Sequence, residues 1–275
     1  MTEGLNPTSL ETLTGALAYA MGIEPPEYAA VANEDLCAYV DRCLAGKKAD
    51  RVFMYNTDAI AQWVYEKYPQ LSTLARKRTD LELPMHTVNP PKTPIAFGTM
   101  YTGAPPQVHG IVQYEKKLIT IDTLFDALVR AGKKVALLSI GGYSMAVIFA
   151  QRPIDYYFFD SWPQVNAKAA ELIMKDEYDF ILTYNANFDD VMHQSGPESM
   201  EALAEARFNY QTFCMFDTMI QTHWKKHNTL IGFGMDHGCH LKDDGSGKGT
   251  HCDDSPEDRN IVHLYKIHPA TEESE

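Results

Sequence analysis

The sequence has no disulfide framework, no long apolar run and no surplus of positive charge. Its five cysteines, Cys37, Cys43, Cys214, Cys239 and Cys252, are odd in number and lack paired spacing. That excludes a disulfide-stapled secreted scaffold, and the expected setting is the reducing cytoplasm. No stretch approaches the ~20 consecutive apolar residues that span a bilayer. The N-terminus is acidic, and the apolar patch at 16–23 is short and broken by Gly22, so no secretory leader is expected. Lys and Arg number 24 against 37 Asp and Glu, a formal net charge of −13. This balance excludes non-specific binding to duplex nucleic acid or to anionic membranes. It also sets a condition: a chain this acidic that handles an anionic substrate needs cations at its site.

What is present is an ordinary globular composition, 45% hydrophobic and 22% charged over 275 residues, enough for a large core. Segments 8–21 and 33–44 read as helices. Thr8 and Glu11 have capping-box spacing in the first; Asn33 opens and Gly46 closes the second. From residue 50 onward strands and helices alternate. Strands are expected at 50–55, 134–140, 155–159, 179–184, 229–235 and 260–267, and helices at 59–68, 121–131, 165–174 and from 198 to about 225. The strands are continuously apolar, as strands covered on both faces are. The expected fold class is therefore α/β, a mainly parallel central sheet with helices on both faces. Residues 1–49 form an N-terminal helical extension or cap, 50–270 the main domain, and 271–275 a disordered tail.

Four clusters carry chemistry. The first strand ends on Asp58, which by itself reads as the cap of the helix that follows. The second cluster is Thr93-Pro94, an N-cap followed by proline at the first helical position. A hydroxyl there sits beside free backbone N–H groups in a positive field, a natural place for a phosphate. A neighbouring metal would make it usable as a nucleophile. The third is Asp189-x-x-x-His193 directly after a strand, a spacing that puts both side chains on one helix face with Asp190 turned elsewhere. The fourth is Asp236-His237-Gly238, where a buried strand stops abruptly, with His251 beyond a Gly/Asp-rich loop. An alternative use of this last region is a structural zinc knot of His237, Cys239, His240, His251 and Cys252. Its spacing does not match the usual two ligand pairs.

Asp58, Asp189 and Asp236 all follow strands, so they fall on one edge of a parallel sheet. Three carboxylates, three imidazoles and a hydroxyl suffice for two ions with three protein ligands each. Two divalent ions would also offset the local acidity and attract a phosphate.

In these clusters the chain resembles the alkaline phosphatase superfamily, and more closely its type I phosphodiesterase/nucleotide pyrophosphatase branch. The likeness runs from about residue 50 to 265. It rests on Thr93 nine residues before Thr102-Gly103, on Pro105-Pro106-Gln-Val-His109-Gly110-Ile111, on Asp189 and His193 before Gly196-Pro197, and on Asp236-His237-Gly238 with His251, in the family's order. The resemblance implies an alkaline phosphatase-like catalytic domain over 50–270. It implies one metal held by Asp58, Asp236 and His237 beside Thr93, and another held by Asp189, His193 and His251. Thr93 would attack phosphorus and form a phospho-threonine intermediate that water then releases. Zinc is the expected ion, with manganese and magnesium as alternatives. The implied partner is a small phosphate ester, a nucleotide among the candidates.

Three positions depart from the family. Ala59 stands where glycine usually follows Asp58. Ile95, Ala96 and Phe97 occupy a helix start that is usually more polar. Where phosphodiesterases carry a phosphate-contacting Asn after the His-Gly-Ile segment, this chain has Gln113 and Tyr114, so Gln113, Tyr114 or neither takes that role. Sulfatases belong to the same superfamily but need Cys or Ser at the nucleophile position, which Thr93 excludes. Phosphomonoesterase, phosphomutase and phosphonate hydrolase activities stay open. So do a metal-binding protein with little catalysis and the single structural zinc.

Overall fold

In the computed structural model, which describes residues 4–271, the six expected strands and one more form a seven-stranded sheet. Its members are β1 (Arg51–Thr57), β2 (Leu81–His86), β3 (Val135–Ile140), β4 (Asp155–Phe159), β5 (Phe180–Asn185), β6 (Thr229–Met235) and β9 (Asn260–His268). A small hairpin, β7 (His240–Leu241) with β8 (Gly249–Thr250), stands apart. The helices are α1 (Thr12–Met21), α2 (Glu34–Leu44), α3 (Gln62–Lys67), α4 (Pro69–Arg78), α5 (Thr93–Thr102), α6 (Pro106–His109), α7 (Leu124–Arg130), α8 (Ser144–Ile148), α9 (Trp162–Lys175), α10 (Asn187–Ser195), α11 (Met200–His223) and α12 (Pro256–Arg259).

The strand order is β2-β9-β6-β1-β5-β3-β4. Strands β6, β1, β5, β3 and β4 run parallel, while β9 is antiparallel to both β6 and β2. Central β1 shows why the sheet needs two helical layers. Successive side chains of a strand point to opposite faces. Phe53 and Tyr55 pack on Phe216 of α11. Asn56 points the other way, where the Tyr101 hydroxyl of α5 donates to its Oδ1. Every residue from Val52 to Thr57 is buried, so both faces of the strand are covered.

The expected elements are present, with shifted ends. Helix α1 starts at Thr12, and Glu11 at its N-cap makes no side-chain cap bond. The reason is tertiary: the Thr8 carbonyl accepts the His86 N–H at 2.8 Å, and Ser9 bridges to His86 on the sheet edge. Segment 8–11 is thus drawn onto β2 and away from the helix. Strand β2 was not foreseen. Its Leu-Glu-Leu-Pro-Met-His sequence contains a proline, which only an edge strand tolerates. Helix α3 starts at Gln62 with Ala61 at its N-cap, so Asp58 caps nothing. In α7 the capping box formed by Thr123 and Asp126 sets the start, two residues inside the expected segment. Of the expected tail, Thr271 donates its N–H to the Lys225 carbonyl at 2.8 Å; residues 272–275 lie outside the described part. No described helix is long and apolar enough to cross a membrane.

Candidate active site

Strand register brings the clusters to one level. Thr57, the last residue of β1, pairs with Asn185 at the end of β5 and with Met235 at the end of β6. Asp58 and Asp236 therefore leave adjacent strands side by side, and α10 begins just past β5. These are the carboxyl ends of parallel strands, where open α/β sheets bind ligands.

Two sets of ligand-type side chains result. Asp58, Asp236 and His237 are buried and offer donor atoms within 4.8 Å of one another; Asp189, His193 and His251 form a second such set. The sets are neighbours, with the rings of His237 and His251 4.2 Å apart. Within the first, His237 Nε2 lies 3.4 Å from Asp58 Oδ1 and 3.4 Å from Asp236 Oδ2. Within the second, Asp189 Oδ1 lies 3.1 Å from His193 Nε2 and 3.6 Å from His251 Nε2. Two donors ~2.1 Å from one tetrahedral ion stand about 3.4 Å apart. The observed spacings bracket that value.

The imidazoles are oriented for the same task. His237 Nδ1 meets the Gly238 carbonyl at 2.9 Å, His193 Nδ1 the Gly249 carbonyl at 3.2 Å, and His251 Nδ1 the Pro91 carbonyl at 3.0 Å. A carbonyl only accepts, so each Nδ1 carries the proton and each Nε2 turns its lone pair into the cluster. The carboxylates are held from behind too. Asp236 Oδ1 accepts the N–H groups of Ala59 and His237, at 3.0 and 2.8 Å. Asp58 Oδ2 accepts the Tyr184 hydroxyl. The opposite oxygen Asp236 Oδ2, together with Asp189 Oδ1, is buried without a hydrogen-bond donor. Buried carboxylate oxygens without donors are costly, and a divalent cation fits both positions.

The charge state reflects this crowding. Burial, followed by the charges of Asp236 and Asp189, holds the Asp58 carboxyl well above the usual carboxylate range. Burial pushes Asp236 up to about 6 and His251 down to about 3. Burial also acts upward on Asp189, but the imidazoles of His193 and His251 outweigh it and leave that carboxyl below its ordinary value. His251 is thus kept neutral, the form that ligates metal.

Thr93 opens α5 as its first helical residue. The N-cap is Lys92, whose carbonyl accepts the N–H groups of Ile95 and Ala96. The Thr93 side chain is therefore free of the capping role expected for it. Its Oγ1 lies 3.4 Å from each Asp58 oxygen and 3.2 Å from His237 Nε2. Ala59 adopts φ 60°. That left-handed conformation costs alanine roughly 1–2 kcal/mol and glycine little, which accounts for glycine as the usual residue after this aspartate.

The remaining candidates are more dispersed. Gln113 and Tyr114 are exposed. Tyr114 is raised in pKa by partial burial and then by the charges of Asp58 and Asp189. Asp190 turns away from the clusters and accepts the Tyr143 hydroxyl at 2.9 Å. Among the described residues no metal-capable group contains a cysteine, so the zinc knot does not assemble. A third group, His240 with Asp253 and Asp258, does, but its closest pair, His240 Nδ1 and Asp258 Oδ1, makes a direct 2.7 Å hydrogen bond. Sequence reasoning missed Tyr184 and Asp258. Tyr184 had a local signal, since it lies one residue before the end of β5.

Fold and site together define a class: a mainly parallel α/β domain with two adjacent sets of ligand-type side chains, each able to hold a cation, at the carboxyl edge of its sheet. The family model for type I phosphodiesterase / nucleotide pyrophosphatase matches residues 55–118. No curated protein sequence matches the chain. Among solved structures, human ectonucleotide pyrophosphatase/phosphodiesterase 5 aligns with a TM-score of 0.54 and 19% identity over 70% of this chain and 57% of its own. The murine protein gives 0.56 and 18% over 70% and 58%. Phosphonoacetate hydrolase from Sinorhizobium meliloti 1021, in complex with phosphonoformate, gives 0.53 and 18% over 74% and 61%. The alignments thus span about three fifths of those chains, and at these identities the likeness carries the fold. The chain is thus similar over residues 55–118 to the type I phosphodiesterase / nucleotide pyrophosphatase family, and it shares its fold with those solved structures.

Proposed function

We propose that the chain is a two-metal hydrolase of phosphoric esters with Thr93 as nucleophile. The observation that carries this reading is the position of Thr93 Oγ1, 3.2 Å from His237 Nε2 and 3.4 Å from both Asp58 oxygens, beside a second ligand set. Asp58, Asp236 and His237 would hold one ion, and Asp189, His193 and His251 the other. Bound there, divalent ions would supply charge stabilisation to the attacking and leaving oxygens of an in-line displacement. The residues do the rest. Thr93 Oγ1 bonds to phosphorus as the P–O bond to the ester alcohol breaks, and the hydroxyl proton passes to the departing alkoxide, which leaves as the alcohol. A water oxygen then bonds to phosphorus as the P–Oγ1 bond breaks, and a water proton restores the Thr93 hydroxyl. Tyr184 holds Asp58 in place, and the backbone carbonyls on Nδ1 hold the three rings. Zinc suits the imidazole content. Tyr114 and Gln113 are proposed to face the substrate.

A small ester, with nucleotides as first candidates, is the proposed substrate; the ectonucleotide pyrophosphatase/phosphodiesterase likeness supports it. The equally long alignment with phosphonoacetate hydrolase supports a second reading, cleavage of a phosphonate C–P bond. Residues 50–270 are proposed as the catalytic unit, with 1–49 packed on it through α1, which lies against α5 and α7. Five free cysteines support a reducing, cytoplasmic setting.

The test is turnover of nitrophenyl phosphate mono- and diesters and of phosphonoacetate by the zinc- or manganese-loaded chain. Thr93→Ala is expected to lower turnover on the order of 10³-fold or more and to keep its metal. Unchanged turnover in that variant removes Thr93 from the mechanism.

A further inference from the structure

One fully buried carboxylate has no role in the proposed chemistry, yet it is bonded to the segments of both ligand sets. Asp258 lies on α12 with no exposed surface. Its Oδ2 accepts the backbone N–H groups of Cys252 and Asp253, each at 2.8 Å, the two residues directly after His251. Its Oδ1 accepts Nδ1–H of His240 at 2.7 Å. His240 starts the β7–β8 hairpin, whose Gly249 carbonyl in turn receives Nδ1–H of His193. The backbone carbonyl of Asp258 accepts the Gly238 N–H at 2.7 Å. Gly238 directly follows Asp236-His237, and its own carbonyl receives the His237 ring proton. The turn is pressed hard on α12: a Cβ at Gly238 would stand 2.1 Å from the Glu257 carbonyl oxygen.

We propose that Asp258 is a positioning residue that sets the spacing between the two ligand sets, an inference that rests on the two-ion reading above. A single side chain tethers the segment after His251 and the hairpin that orients His193, and its backbone tethers the turn that carries Asp236 and His237. Both carboxylate oxygens are used, three donors point at them, and none comes from solvent. Charge-assisted bonds of this kind are strong and directional. Removing the acceptor leaves buried N–H groups unsatisfied and frees the His251 and His193 segments together. The geometry argues against Asp258 as a ligand of its own ion. Its 2.7 Å contact with His240 is a hydrogen bond, and ligands about a tetrahedral ion stand nearer 3.4 Å apart. The third member, Asp253, is 70% exposed.

The experiment is zinc titration of the full-length apo chain against a competing chelator, with thermal unfolding of each apo variant to report its fold. The wild type is expected to bind two ions. Asp258→Ala keeps the backbone carbonyl that holds Gly238, and is expected to weaken the ion at Asp189, His193 and His251 by about 10–100-fold, the range seen when a partner that orients metal ligands is lost, with a smaller effect on the ion at Asp58, Asp236 and His237. Asp258→Asn keeps the volume and one acceptor oxygen, and is expected to weaken the same ion by about 10-fold. Asp253→Asn is expected to change neither. If Asp258→Ala does not fold, the Asn variant decides alone. A folded Asp258 variant with the affinity at Asp189, His193 and His251 unchanged overturns the inference and leaves the two-ion reading standing. A third zinc in the wild type that Asp253→Asn abolishes overturns it in favour of a separate metal site. A wild-type chain that binds no zinc overturns the reading and the inference together.

Discussion

Histidine meets carboxylate at both edges of the sheet, in two different ways. At the carboxyl edge, His193, His237 and His251 stand 3.1–3.6 Å from the carboxylates of Asp58, Asp189 and Asp236, with their other nitrogens on backbone carbonyls. At the amino edge, His227 lies 2.8 Å from Asp176 and His268 lies 2.6 Å from Asp217. Arginines complete those pairs: Arg51 joins Asp176 and Asp179, and Arg78 joins Asp217. The same residue types thus build closed, hydrogen-bonded pairs at the amino edge and, at the carboxyl edge, two open sets beside one closed pair, His240 with Asp258. A closed pair contributes to the fold. An open set, with buried carboxylate oxygens lacking donors, leaves its charge to be met by a cation. The lesson is that spacing and the partner on Nδ1, more than residue identity, separate a ligand from an ion pair.

The sharpest way to break this comparison is to spoil one open set. Asp236→Asn is expected to lose the ion beside Thr93 and to lower ester turnover on the order of 10³-fold, the several kcal/mol that a bound ion contributes to transition-state charge. Chelation of the wild type should give a loss at least as large, restored by added zinc. Elemental analysis alongside kinetics checks both.

Spoiling a closed pair should do the opposite. Asp217 is buried between His268 and Arg78, and its replacement leaves the Arg78 guanidinium and the His268 ring facing a neutral amide. Asp217→Asn is expected to cost ~3–5 kcal/mol of stability, read by denaturant unfolding, with metal content and turnover per folded molecule unchanged. Its pH dependence has a definite sign. Burial raises the Asp217 carboxyl, but the bonds from His268 and Arg78 outweigh that and leave it below its ordinary value. Its stabilising effect is therefore full above the unfolded carboxyl value of about 3.9 and is lost as pH falls through the folded value. The gap between wild type and Asp217→Asn should be constant near neutrality and close under strong acid. A gap that persists there would contradict the pairing.

The smallest expected effect tests strain at the open edge. Ala59→Gly relieves a positive φ but loosens the unfolded chain, so a gain of about 1 kcal/mol or less is expected, with turnover unchanged. A loss of stability would show that the alanine methyl contributes more packing than the strain costs.

The sequence made the order of the site legible more readily than its geometry. Asp58, Thr93, Asp189, His193, Asp236, His237 and His251 could be picked out because each follows a strand or starts a helix. In parallel sheets those places fall on one edge. Asp58 was ambiguous, since an aspartate after a strand also makes a good helix cap, and only the later start of α3 separates the two uses. Strand β2 was hidden by Pro84, and its pairing with β9 depends on residues nearly two hundred positions away. The capping box at Thr8 and Glu11 was a sound local signal overridden by the edge of the sheet. Asp258 was invisible because its importance lies in partners that only the folded chain supplies.

The central claim is that two ions sit side by side with Thr93 against the first. Diffraction from crystals of the full chain grown with zinc and inorganic phosphate, with anomalous data at the zinc edge, tests it most directly. The account predicts two zinc peaks, one among Asp58, Asp236 and His237 and one among Asp189, His193 and His251, with phosphate beside Thr93. A single peak at Cys239 or Cys252, or a peak only at His240, Asp253 and Asp258, would contradict it.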